Sequence, residues 1–244
     1  MPKNQLLGVL GGLGPMSTFY FCELLTAHTA AASDADHIDM IISSRATTPD
    51  RTAFILGRSD RDPLPVMLDE ARRLERTGAD LIVIPCNTAH YFYEGLCSHL
   101  HVPMLNIIRE TVLHLQRGGV KTFGLLATEG TVRSDAYTRV CEPLGMRCLT
   151  PDEAGQAEIS SLIYDVIKQN RPVDTGRFFA VADALRARGC ERIVLGCTEL
   201  SLLKKQGLDD AIFVDSLEVL AYRTILACGK TPIGFPTSFT GGDL

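Results

Sequence analysis

Hydrophobic positions along the chain follow two alternating rhythms. Short apolar runs rich in Leu, Ile and Val occupy residues 6–10, 39–43, 81–84 and 104–106, and then 122–126, 147–150, 192–195 and 212–214. Runs of this length, bounded by turn-forming residues, predict β-strands. Between them apolar residues recur at helical spacing, as Met67, Ala71 and Leu74 do while charges take the other side. Helices are predicted over 17–30, 63–77, 107–117, 135–144, 157–168, 175–188 and 216–228. This alternation specifies an α/β protein with a mostly parallel sheet.

The pattern also repeats. Asp80-Leu81-Ile82-Val83-Ile84 leads into Pro85-Cys86-Asn87-Thr88-Ala89, and Glu191-Arg192-Ile193-Val194-Leu195 leads into Gly196-Cys197-Thr198-Glu199-Leu200. A shift of 111 positions superposes Gly78 on Gly189, Leu74 on Leu185 and Ala71 on Ala182. Each half opens with a strand running into a loop, Gly8-Val9-Leu10-Gly11-Gly12 and Gly124-Leu125-Leu126-Ala127-Thr128. Unrelated βαβ units resemble one another, but the shared order of glycine, acid, apolar run, cysteine and polar residue favours duplication. The expected fold is two pseudo-symmetric three-layer α/β/α domains, packed closely because no low-complexity linker separates them, with the active site in the cleft between.

Composition narrows the function. A 244-residue chain that is 45% hydrophobic, with net charge −5, reads as soluble and globular, and no Lys/Arg cluster suggests a nucleic-acid surface. The apolar runs are far short of the about 20 residues that span a bilayer, and the first is broken at once by Gly11, Gly12, Gly14 and Pro15, unlike a signal peptide. Eight scattered cysteines without a CxxC pair fit a reduced, cytoplasmic protein. No histidine shows metal-ligand spacing, and no metal is expected.

Ligands of open α/β sheets bind beyond the carboxyl ends of the strands, where Cys86 and Cys197 both fall. A cysteine at a helix N-terminus is expected to have a lowered pKa. The plain alternative, a small buried hydrophobe, is accepted for the other six cysteines. Asn87, Thr88, Thr198 and Glu199 put polar side chains and N–H groups beside each thiol, suited to a carboxylate, although either threonine also makes an ordinary cap. His90 reads as a packing residue. Gly12-Leu13-Gly14 lacks the third glycine of a dinucleotide fingerprint and is interrupted by Pro15, so nucleotide binding is rejected. The loop instead lets backbone approach a substrate, with Pro15 and Met16 shaping the pocket wall.

The two cysteine motifs, with Gly11-Gly12-Leu13-Gly14-Pro15 and Pro49-Asp50-Arg51-Thr52, together resemble the aspartate/glutamate racemase superfamily, most closely its aspartate racemase branch. The resemblance covers the chain up to about Lys230. It implies cofactor-independent racemisation in which one thiolate removes the α-proton and the opposite thiol protonates the other face, with backbone N–H groups stabilising charge on the α-carboxylate. Arg51 matches the position that anchors a side-chain carboxylate, in a loop where Asp50 would orient it, and Lys168 matches a second cationic position. Glu199 stands where the glutamate racemase branch usually has histidine, and the glycine loop lacks that branch's aspartate. Both departures shift weight from glutamate racemase toward aspartate racemase or a relaxed-specificity relative, with aspartate the first substrate and glutamate next. The resemblance further implies a homodimer and a C-terminal helix that crosses back. That gives an N-terminal domain of residues 1–107 with 216–235, and a C-terminal domain of 108–215.

Within the superfamily, maleate isomerase is the alternative, since maleate is also a four-carbon diacid. A hydantoin is disfavoured by Arg51 and Lys168, and the decarboxylase branch keeps only one cysteine. A non-catalytic amino-acid-binding module leaves paired thiols without a purpose.

Overall fold

The computed structural model describes residues 5–205, 207–208, 211–236 and 239, so residues 1–4 of the expected first domain lie outside it. The first half comprises β1 (Leu6–Gly11), α1 (Pro15–Ala27), β2 (Asp39–Ser44), α2 (Arg51–Ile55), α3 (Leu64–Arg76), β3 (Leu81–Val83), α4 (Tyr93–Cys97), β4 (Met104–Leu105) and α5 (Ile107–Arg117). The second comprises β5 (Thr122–Leu126), α6 (Glu129–Arg133), α7 (Thr138–Cys141), β6 (Arg147–Leu149), α8 (Glu153–Ser161), α9 (Thr175–Ala187), β7 (Arg192–Leu195), α10 (Ser201–Lys205), β8 (Phe213–Asp215) and α11 (Ser216–Ala227). A 3-10 turn, Thr88–Phe92, follows the first cysteine, and a π-helical turn, Leu162–Ile167, follows α8.

The strands form two four-stranded parallel sheets of identical order, β2-β1-β3-β4 and β6-β5-β7-β8. Side chains alternate between the faces, as a strand's period of two requires. Leu7, Val9, Leu81 and Val83 join Phe123, Leu125 and Val194 in one core shared with α1, α5 and α11. Leu10, Ile82 and Ile84 pack on the α3 side of the first sheet, and Leu126, Ile193 and Leu195 on the α9 side of the second. Burial on both faces explains why the central strands read as continuous apolar runs.

The duplication extends to individual contacts. A Cβ on Gly8 would meet Leu74 and Ile82, and one on Gly124 would meet Leu185 and Ile193, so each helix lies close against a strand glycine. Gly78 and Gly189 end α3 and α9 at φ 93° and 90°, a left-handed conformation that favours glycine. The acid after each glycine is structural: Asp80 accepts the Leu6 N–H, and Glu191 accepts those of Lys121 and Thr122. α11 packs against α5 and α1, helices of the first half.

Element boundaries differ from expectation where local chemistry intervenes. Pro15 starts α1 two residues early, and Asp152 caps α8 four residues early. The helix expected from 135 begins only at Thr138, because Asp135 adopts φ 54°. Arg51 opens a helix rather than lying in a loop.

Candidate active site

In each sheet the chain reverses its lateral direction between two neighbouring strands, β1 and β3 in one and β5 and β7 in the other. Loops leaving such strands diverge and leave a crevice at their carboxyl ends. The glycine loop leaves β1, Cys86 follows β3, and Cys197 follows β7. Thr198 Oγ1 donates to the Pro85 carbonyl at 3.2 Å, so the two cysteine motifs touch directly.

Both thiols are buried, Cys86 6% exposed and Cys197 4%. The expectation of lowered thiol pKa values is overturned. Burial pushes Cys86 up, offset in part by the Arg51 guanidinium and the Ala89 N–H. Cys197 is pushed well above its ordinary value by burial and then by the Glu199 carboxylate, against the pull of Lys168. Its Sγ donates to Glu199 Oε2 at 3.0 Å. Helix dipoles offer little here, since a five-residue 3-10 turn follows Cys86 and α10 begins only at Ser201.

A cavity of about 380 Å³ is walled by Gly12, Pro15, Met16, Arg51, Lys168 and Glu199, all expected site residues, with Ser17, Asp50 and Asn170 among others. Lys168 Nζ lies 3.7 Å from Glu199 Oε1 and 4.7 Å from the Tyr164 ring centroid. Burial disfavours its charge, but Glu199 and then Cys197 outweigh that and raise its pKa. Arg51 is buried, with Nη1 donating to the Thr48 and Pro49 carbonyls and Nη2 to Leu13. Asp50 does not orient it; that carboxylate caps α2 by accepting the Ala53 N–H at 2.7 Å. Three buried atoms of this wall have no hydrogen-bond partner: Arg51 Nε, Ser17 Oγ and Glu199 Oε1.

The glycine loop lies in the cavity wall, with Pro15 and Met16 beside it, and one of its glycines also makes a contact that was not expected. A Cβ on Gly14 would collide with Glu199 Oε1, so this glycine makes room for the carboxylate beside Cys197. Gly12, at φ 83°, lies against the Arg45 and Ala46 backbone. Met16 is 66% exposed at the rim.

Three expected ligand side chains are engaged elsewhere. Asn87 donates to Ser216 Oγ at 2.9 Å and accepts from the Tyr137 hydroxyl at 2.7 Å. Thr88 joins Thr128 and Thr131 in a closed triangle of hydroxyls, 2.8, 3.0 and 3.1 Å on its sides. Thr198 is held by Pro85, as above. His90 is the packing residue expected: it bridges the Cys86 carbonyl (Nδ1, 2.8 Å) and the Ile107 N–H (Nε2, 3.2 Å). Accepting at Nε2 makes Nδ1 the protonated nitrogen, and burial lowers the ring's pKa to about 4. Sequence reasoning missed Ser17, Thr128, Thr131, Tyr137 and Ser216. The only signal for Thr128 was its place after the first strand of the second half, matching the glycine loop of the first. Among the described residues no three His, Cys, Asp or Glu side chains gather as metal ligands, and no helix is long and apolar enough to cross a membrane.

Comparison with known proteins gives the family and supports the fold. The chain is 30% identical over 226 residues to the broad specificity amino-acid racemase RacX of Bacillus subtilis, covering 90% of this chain and 96% of that protein. It is 32% identical over 162 residues to the glutamate racemase of Aquifex pyrophilus, covering 63% of this chain and 61% of that one. The solved Picrophilus torridus aspartate racemase superposes with a TM-score of 0.82 at 27% identity, over 98% of this chain and 100% of that one. The model of the Asp/Glu/hydantoin racemase family matches residues 10–224. With the duplicated sheets and the paired cysteine loops, this match identifies the chain as a racemase belonging to the Asp/Glu/hydantoin racemase family.

Proposed function

We propose that the protein is a cofactor-independent amino-acid racemase acting on aspartate, with glutamate the next substrate, and that Cys86 and Cys197 are its catalytic residues. The observation that carries this reading is the equivalent origin of the two thiols, each following the third strand of its own half, in loops joined through Thr198 and Pro85. In one direction a thiolate takes the α-proton and the C–H electron pair moves into the α-carboxylate. The opposite S–H then protonates the other face of the carbon, and its sulfur is left as the thiolate. The reverse direction exchanges the two roles.

The atoms of the wall residues that lack a hydrogen bond, one of them ion-paired with Lys168, are of the kinds an amino acid requires. Arg51 Nε and Ser17 Oγ are donors for carboxylate oxygens, and Glu199 Oε1 is an acceptor for the ammonium. Arg51, fixed by three backbone carbonyls, is already ordered before binding. Backbone N–H groups at Asn87, Thr88, Thr198 and Glu199 remain our candidates for stabilising the carbanionic intermediate. We take residues 1–107 with 216–235 as one lobe and 108–215 as the other; the packing of α11 on α1 supports the return of the C-terminal helix to the first lobe, and its packing on α5 joins the two lobes at their boundary. Eight free thiols support a reducing, cytoplasmic setting, and sedimentation will test the expected homodimer.

The test is proton NMR of L-aspartate and L-glutamate with purified protein in D2O and no added cofactor. Loss of the α-proton signal is expected, abolished by Cys86→Ala or Cys197→Ala. Persistence of the signal with folded, reduced wild type, or exchange that survives either substitution, overturns the assignment.

A further inference from the structure

At the junction of β8 and α11, two adjacent residues grip both cysteine loops. Ser216 Oγ donates to the Leu195 carbonyl at 2.7 Å, two residues before Cys197. The same oxygen accepts the Asn87 side-chain amide, the residue after Cys86. Asp215 Oδ1 accepts the Ser201 hydroxyl at 2.7 Å, four residues after Cys197, and the Leu217 N–H at 2.8 Å. The register places Asp215 beside Leu195 in the β7–β8 pair. The dipeptide therefore holds the Cys197 loop on both flanks, and the Cys86 loop on one.

Burial makes these bonds strict. Asp215 is 1% exposed and Ser216 is fully buried, as is Ser201. No water competes for such groups, and each left unpaired carries its full desolvation cost. Tyr137, itself buried, fixes the other end of Asn87, so the amide is held from two sides. An interaction network of this kind also transmits displacement, because none of its members can turn away to solvent.

We propose that Asp215-Ser216 is the positioning element that sets the placement of Cys86 relative to Cys197. Neither residue touches the reacting atoms. Two-base inversion demands a base and an acid on opposite faces of one carbon, so the separation of the two sulfurs is itself a catalytic parameter. Ser216 reports the position of each loop to the other through one oxygen, and Asp215 keeps the Cys197 loop from swinging about that contact.

The inference rests on the racemase reading for its kinetic arm alone. Full-length Ser216→Ala is compared with wild type in two measurements: aspartate racemisation, and amide hydrogen exchange by mass spectrometry. Misplacement by a fraction of an ångström to one ångström is expected to lower kcat by up to about 100-fold with little change in KM. Peptides covering residues 86–90 and 196–201 are expected to exchange faster together. Acceleration confined to residues 213–220, or kcat equal to wild type, overturns the proposal. A second pair guards against misfolding: Asp215→Asn keeps an acceptor for Ser201 and Leu217 and is expected to retain most of kcat, whereas Asp215→Ala is not. Equal loss in both overturns the role given to Asp215. If wild type racemises neither acidic amino acid, the assignment of aspartate and glutamate as substrates fails, and the exchange arm still decides whether the dipeptide couples the loops.

Discussion

At the scale of single residues the site raises the pKa of both its thiols. Burial acts on both, and Glu199 adds to it at Cys197, while Arg51 opposes it at Cys86. Glu199→Gln keeps an acceptor for the Cys197 thiol and removes the charge. The thiol's pKa then moves down, and each unit gained is a tenfold increase in thiolate. Alkylation of Cys197 at constant pH, followed by peptide mass, is expected to accelerate; unchanged labelling would show that the carboxylate does not govern this sulfur. The cysteines, Arg51, Lys168 and Glu199 were legible in the sequence because chemistry-bearing types stand in a repeated or family-like order. Ser17, Tyr137 and Ser216 were not, because a serine or tyrosine declares nothing until its partner is known, and Tyr137 and Ser216 meet theirs across the halves. Gly14 was legible as a glycine of the pocket loop but its partner was not, since the carboxylate it accommodates comes from 185 positions away.

At the scale of elements, the paired strand glycines yield a ranked prediction. A Cβ at Gly124 would lie 2.7 Å from Ile193 and 2.9 Å from Leu185, whereas at Gly8 the nearest neighbours stand at 3.1 Å or more. Overpacking of this kind costs about 1–3 kcal/mol. Thermal denaturation should therefore place Gly124→Ala below Gly8→Ala, and both below wild type; the opposite order would mean that the second half yields more easily than its contacts suggest. All eight strands and the long helices followed from periodicity. The short helices α2, α4, α6 and α10 did not, because five residues are too few to show a period and their stability is tertiary. Asp50 caps α2 and Thr128 caps α6, and Gly130 lets α6 approach the Thr52 backbone, where a Cβ would stand 3.0 Å from Cα. Two of these unannounced helices, α2 with Arg51 and α10 with Leu202, contribute to the wall of the candidate site, so the expectation was weak in part of that wall.

At the scale of the whole molecule, two buried groups pull stability in opposite directions with pH. His90, lowered by burial to about 4, stabilises the fold above its unfolded pKa near 6.5, and that contribution, about 3 kcal/mol, is lost as pH falls from 6.5 to 4. Asp215 is raised to about 7 by burial and then by Glu218, against Lys204, Ser201 and the Leu217 N–H. Its contribution is fully present below about 4 and is lost as pH rises through 7. Denaturant unfolding at several pH values is expected to show a stability gap between wild type and His90→Gln that widens from pH about 4 to about 6.5. A gap independent of pH would mean that the bridge between the Cys86 carbonyl and α5 does not titrate. The hydroxyl triangle of Thr88, Thr128 and Thr131 spans the same two halves. Three hydroxyls closed into a ring have three hydrogens for three bonds, so each O–H is already committed and the ring presents only lone pairs to its surroundings. It behaves as a clasp while shut. Thr88 takes part in two of the three bonds, so a displacement of its turn relative to α6 would break both at once and leave an unpaired hydroxyl on each side.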